Sequence, residues 1–209
     1  MTTKLKTIFR WPSEKPTITP SSHNWFSPNN AKVLKDLITQ IKPSYILEMG
    51  SWTGIGSTNF ILKNTTPDTQ MVCIDHWSTN IEDHIQSSFT RDQAMELYNE
   101  ISNLWETFLV NNWEYQTRLT PIRKKTNEGL DFVNKLNIPF DLIYIDAHHD
   151  YEHVLYDIET AGKYWPNAVL CGDDYLWPNG DVEKAVKEYA DKNNLIVNVN
   201  NQCWYYEKQ

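Results

Sequence analysis

From Tyr45 to Glu207 the chain alternates short apolar runs with longer stretches in which apolar residues recur every three or four positions, the pattern of strands interleaved with amphipathic helices. The opening run, Tyr45-Ile46-Leu47-Glu48, is followed by Met71 to Asp75, Leu119 to Arg123, Phe140 to Asp146 and Ala168 to Asp174, each of strand length. Leu195 to Asn200 and Gln202 to Glu207 close the chain as two short strands joined by an Asn-rich turn. Between them the period changes. Ser27-Pro28 suits a helix start, Leu34, Leu37, Ile38 and Ile41 share one helical face, and Pro43 stops the helix. Further helices are predicted from Ser57 to Lys63, from Glu128 to Leu136, around Tyr151, Val154, Leu155, Ile158 and Trp165, and around Val182, Ala185, Val186 and Tyr189. Strands alternating with helices imply an α/β fold whose mostly parallel sheet is covered on both faces and binds ligands beyond the carboxyl ends of its strands.

Two segments fall outside this alternation. Residues 1–28 carry Pro12, Pro16, Pro20 and Pro28 with scattered Trp11, Trp25 and Phe26, which reads as an extended arm preceding one domain over 29–209. The arm is also a candidate for contact with a second copy of the chain. The connection of about 76–116 is long for a crossover. Within it Thr90 and Gln93 form a capping box, and Ala94, Leu97, Tyr98, Ile101, Leu104, Trp105 and Phe108 follow at helical spacing, predicting a helix from about Arg91 to Val110. Its apolar stripe reads as scaffold, and the loop before it as a lid.

Composition narrows the class. The 209 residues, 40% hydrophobic and 22% charged, suit a single compact domain. A net charge of −8 argues against nucleic acid or an anionic membrane as partner. Cys73, Cys171 and Cys203 are odd in number and far apart, so they read as buried thiols in a reducing compartment. The N-terminus lacks the apolar core of a signal peptide and no apolar run is long enough to span a bilayer, so a soluble, cytoplasmic protein is expected.

The chemistry collects at the strand ends. Glu48 precedes Met49-Gly50-Ser51-Trp52-Thr53-Gly54-Ile55-Gly56, a glycine-punctuated turn that suits a nucleotide-like cofactor. Asp75 ends the second strand, twenty-seven residues after Glu48, near the distance at which an acid reaches the ribose hydroxyls of a nucleoside. Asp146 and the pair Asp173-Asp174 end later strands. Four acid-tipped strands on one edge repel one another unless a cation or hydrogen-bond donors compensate. Asp146, Asp173 and Asp174 offer hard oxygens suited to Mg²⁺ or another divalent ion, and His148 and His149 follow Asp146 closely.

With these residues in view, the chain resembles the class I S-adenosylmethionine-dependent methyltransferases, and among them the metal-dependent O-methyltransferases acting on macrolide sugars. The resemblance is carried by Ile46 to Gly54, Cys73-Ile74-Asp75-His76-Trp77, Asp141 to Glu152 and Gly172-Asp173-Asp174-Tyr175. Ala147 and His148 depart from the residues often seen there, Gly and Asp. The resemblance implies a Rossmann-like seven-stranded sheet with an antiparallel last strand. It implies S-adenosylmethionine held by Glu48, Gly50, Ser51, Trp52, Gly54, Asp75, His76, Trp77 and Thr126, with Glu48 and Gly50 near the methionine part, Asp75 on the ribose and Thr126 near the adenine. It further implies a metal on Asp146, Asp173 and Asp174, His149 as general base, and a small acceptor such as a sugar or glycoside. Two other readings stay open. A nucleic-acid methyltransferase is disfavoured because Gly172-Asp173-Asp174-Tyr175 stands where an Asn/Asp-Pro-Pro-Tyr/Phe tetrad is expected, and a non-enzymatic cofactor-binding scaffold is disfavoured by the intact acids and His149. An oxidoreductase is weaker still, since the turn lacks the G-x-G-x-x-G spacing.

Overall fold

The computed structural model describes residues 5, 7–21, 24–80, 84, 92 and 102–208. Helix α1 (Pro28–Ile41) leads into β1 (Tyr45–Met49), α2 (Ser57–Asn64) and β2 (Gln70–Asp75). After the connection come α3 (Leu104–Asn111), a 3-10 turn (Trp113–Tyr115), β3 (Leu119–Arg123), α4 (Thr126–Asn134) and β4 (Leu142–Ile145). Helix α5 (Tyr151–Tyr164), β5 (Val169–Gly172), α6 (Asp181–Asn193), β6 (Leu195–Asn200) and β7 (Cys203–Lys208) complete the chain. The seven strands form one sheet in the order β3-β2-β1-β4-β5-β7-β6. Strands β1 to β5 pair in parallel, and β7 is antiparallel to both β5 and β6. The order reverses between β1 and β4, so the crevice at their carboxyl ends is the topological switch point where such sheets bind ligands.

Alternation along the strands explains why both faces are covered. Leu47 and Met49 of β1 enter one core, with Val72, Ile74, Ile143, Leu130, Val154 and Val186, while Ile46 enters another with Leu34, Ile61, Met71, Phe108 and Tyr144. A strand buried on both faces needs no solvent-facing polar positions, which is why these runs look nearly continuous in sequence, with Glu48 the buried polar exception in β1.

The helix ends follow their caps. Ser27 accepts the Asn30 N–H at 3.2 Å, Pro28 stands in the first turn, and Lys42 in the left-handed region ends α1 just before Pro43. Asp150 caps α5 by accepting the His153 N–H at 3.1 Å. The single helix expected from about Arg91 to Val110 is not continuous: Asp92 is helical, but Ser102 and Asn103 form a turn and α3 starts anew at Leu104, with Asn103 at its cap; the Thr90 and Gln93 capping box lies outside the described residues. Leu104 and Phe108 of α3 are buried, and Trp105 packs on Trp77.

The arm lies against the domain. Leu5 is buried in the core, Thr7 and Ile8 are helical, and the Trp11 indole N–H donates to the Leu119 carbonyl at 3.1 Å. Trp25 stacks on Trp52 with ring centroids 5.6 Å apart. The three cysteines are free and buried. No helix among the described residues is long and apolar enough to cross a membrane.

Candidate active site

The turn after β1 is shaped from both sides by acids. Glu48 is wholly buried on the α2 side of the sheet, where its Oε2 accepts from Ser51 Oγ at 2.6 Å, Thr58 Oγ1 at 2.5 Å and Cys73 Sγ at 3.1 Å. Burial pushes this carboxyl above its usual range, and the hydroxyl and thiol donors only partly oppose the shift. Its Oε1 has no hydrogen-bond partner among the described residues. Asp75, at the tip of β2, holds the turn from the other side: Oδ2 accepts the N–H groups of Ser51 and Trp52, both at 2.9 Å, and Oδ1 accepts the Trp77 N–H at 2.8 Å. Oδ1 therefore retains acceptor capacity for a further hydroxyl.

The glycines answer to protein neighbours as much as to a ligand. Gly50 has φ +82°, and a Cβ there would collide with the carbonyl of Asp146. Gly54 has φ +71°, and a Cβ would strike Asn112 and Phe108 of α3. The cofactor-type turn is thus in direct contact with the chain that carries the β4 acid.

The remaining residues expected around the cofactor divide by burial. Trp52 sits in the left-handed region at φ 48°, and its carbonyl accepts the Trp77 indole N–H at 2.8 Å. Trp77 is fully buried against Trp105 and Phe108, so its side chain belongs to the core. His76 is half-buried, with its ring 4.7 Å from that of His84, which in turn meets Trp52 edge-on at 5.2 Å. Thr126 is buried at the start of α4, beyond β3.

A second cluster forms where β4 and β5 end. Strand pairing sets Ile145 opposite Gly172, so Asp146 and Asp173 emerge side by side. Asp146, His149 and Asp174 each bring a ligand atom within 4.8 Å of the other two. His149 Nε2 lies 2.6 Å from Asp174 Oδ2, and the imidazole stacks on Trp177 at 4.0 Å and 13°. Asp174 itself has φ 58°, a strained placement for an aspartate that aims its carboxylate at His149. Asp173 faces a different set of partners. Its Oδ2 accepts from Asn30 Nδ2 and, at 3.4 Å, from Tyr144 Oη, while its Oδ1 accepts the Asp174 N–H at 2.7 Å. The structure therefore places Asp146, His149 and Asp174 as the convergent set, with Asp173 lining the same small pocket from behind.

Burial and mutual repulsion shift the groups of this cluster. Burial, then the charges of Asp173, Asp174 and Glu48, push Asp146 well above the carboxylate range. Burial and Asp174 raise Asp173 to about 6, against hydrogen bonds from the Asp174 amide and Asn30. Burial and His153 depress His148 to about 4. Crowded carboxylates beside one imidazole are a donor set that a hard divalent cation fits and neutralises. Asn30, Tyr144 and Trp177 were not singled out in the sequence, and nothing local distinguishes them; they reach the site from α1, mid-strand β4 and the loop after β5.

A sheet in this order with β7 reversed, a glycine turn at the switch point and acids at the ends of β2, β4 and β5 define a class I S-adenosylmethionine-dependent methyltransferase. The chain belongs to the methyltransferase-domain family, which matches residues 47–175. No curated protein matches it significantly in sequence. Among solved structures it is similar to an O-methyltransferase from Bacillus cereus in complex with SAH, at 17% identity and TM-score 0.56, over 86% of this chain and 80% of that one. A putative caffeoyl-CoA O-methyltransferase from Staphylococcus aureus gives 16% identity and TM-score 0.59 over 87% and 84%. The O-methyltransferase TomG from Streptomyces achromogenes, involved in tomaymycin synthesis and in complex with SAM, gives 15% and 0.56 over 86% and 79%.

Proposed function

We propose that this protein transfers the methyl group of S-adenosylmethionine to a hydroxyl oxygen of a small acceptor, a polyol or glycoside with neighbouring hydroxyls, with help from a divalent cation, most simply Mg²⁺. The observation that carries the reading is the convergence of Asp146, His149 and Asp174 at the ends of β4 and β5, next to the glycine turn of β1. The names of the solved O-methyltransferases sharing the fold support the choice of oxygen as the acceptor atom.

When bound, S-adenosylmethionine supplies an activated methyl group and the cation supplies Lewis acidity at the acceptor oxygen. The chain supplies alignment and proton handling. Asp75 holds the turn amides with Oδ2 and keeps Oδ1 capacity for a ribose hydroxyl, with His76 beside it. Glu48 braces the same turn against α2 through Ser51 and Thr58. Asp146 and Asp174, with Asp173 behind them, would hold the cation. His149, its ring held between Asp174 and Trp177, takes up the proton that the acceptor hydroxyl gives up as its oxygen attacks the methyl group. Positioning of an oxygen in line with the methyl group accounts for the rest of the expected acceleration.

The test is methyl transfer from labelled S-adenosylmethionine to a panel of catechols, polyols and glycosides, with and without chelator. Turnover of a small hydroxylated acceptor that falls on chelation and in His149→Gln supports the reading. Labelling of bulk RNA or DNA in place of small acceptors, or turnover indifferent to both changes, overturns it.

A further inference from the structure

A separate cluster lies at the start of α5. His148, Asp150 and His153 each place a ligand atom within 4.8 Å of the other two. The two imidazoles stack with centroids 4.5 Å apart and planes 25° apart. His153 Nδ1 lies 2.7 Å from Asp150 Oδ1, which also accepts the His153 N–H. Both contacts fall on one oxygen of Asp150, Oδ1.

We propose that His148, Asp150 and His153 form a second cation site, which takes a borderline transition metal such as Zn²⁺ or Co²⁺ and leaves the oxygen-rich set of Asp146 and Asp174 to a harder ion. Two imidazoles and one carboxylate match the donor preference of such metals, and three protein ligands leave an open position for water or a substrate oxygen. The backbone already gathers the donors: His148 follows the end of β4, Asp150 is the cap of α5, and His153 lies three residues on, within its first turn. Three donors about 2.1 Å from a tetrahedral metal lie about 3.4 Å from one another, so ligand atoms that stand up to 4.8 Å apart close by up to about 1.4 Å. The exposed His153 side chain can supply it. The ion would replace the hydrogen bond between His153 and Asp150 without disturbing the cap, which uses the backbone N–H.

This site stands whether or not the protein methylates an oxygen, because its test reads metal directly. Full-length protein is titrated with Co²⁺, followed by its visible absorption, and with Zn²⁺ by calorimetry. Expected is a micromolar site that His148→Ala, His153→Ala and Asp150→Asn each weaken at least about tenfold, with unchanged thermal melting; Asp150→Asn retains a capping side chain. His149→Ala and Asp174→Asn should leave it in place. The proposal is overturned if wild-type protein binds neither metal in the micromolar range, or if binding survives His148→Ala and His153→Ala but is lost in His149→Ala or Asp174→Asn.

Discussion

His149 and Asp174 meet at 2.6 Å because two backbone details coincide: the chain turns into α5 just after β4, and Asp174 takes a left-handed conformation after β5. In the proposed reaction His149→Gln keeps a polar side chain of similar length but loses the imidazole that takes the proton, so kcat should fall about 10²-fold to 10⁴-fold, measured beside unchanged S-adenosylhomocysteine binding. Asp75→Ala should act on the donor side. It removes three backbone hydrogen bonds at once, so calorimetry should show S-adenosylhomocysteine affinity reduced by an order of magnitude or more, about 1.4 kcal/mol per tenfold. Asp157 gives a prediction about pH. It is 2% exposed in α5, its Oδ2 lacks a partner among the described residues, and burial with the Asp150 charge pushes its carboxyl to about 8 from an unfolded value near 3.8. The folded state therefore binds the extra proton. Stability from this group is complete below about pH 4, declines as pH rises towards 8, and is flat above that. Asp157→Asn should flatten this decline and raise stability near pH 8 by up to a few kcal/mol, seen as a melting-temperature gain over wild type that grows with pH.

Elements carry the site by how they begin and end. Helix α1 starts on Ser27 and Pro28, and this start delivers Asn30 to Asp173 from the first turn. Ser27→Ala should cost about 1 kcal/mol of stability, a melting shift of about 2–4 °C for a chain of this size. If α1 also positions Asp173, the same change should weaken cation binding. Glu48 ties β1 to α2 through Thr58, and Gly50 brings β1 against the end of β4, so the donor and acceptor halves share a wall. Gly50→Ala meets both a left-handed φ and a main-chain collision. It should destabilise the protein and impair both halves together, whereas a glycine needed for ligand approach alone would lose cofactor binding at unchanged melting temperature.

At the scale of the whole molecule, the arm is part of the site's surroundings. Trp11 is tied to Leu119, Trp25 stacks on Trp52, and a Cβ on Gly56 would meet Asn24 and Phe26. Deleting residues 1–27 should lower both melting temperature and S-adenosylhomocysteine affinity; loss of neither would show the arm to be dispensable. Much of the architecture was legible beforehand because it rests on local signals. Apolar runs closed by acids gave β1, β2, β4 and β5, the break in period gave the helices, and Ser27-Pro28 and Pro43 bracketed α1 within a residue. The sequence by itself determined the alternation, the acid-tipped edge and the glycine turn, since backbone propensity and burial on two faces act over a few residues. The tertiary structure decided which acids converge. It grouped Asp146, His149 and Asp174, turned Asp173 towards Asn30 and Tyr144, and assigned Trp77 to the core. Those outcomes depend on strand register and on side chains brought in from other elements, and contacts across 25 residues, as for His149 and Asp174, or 143, as for Asn30 and Asp173, leave no mark on the local pattern that precedes folding.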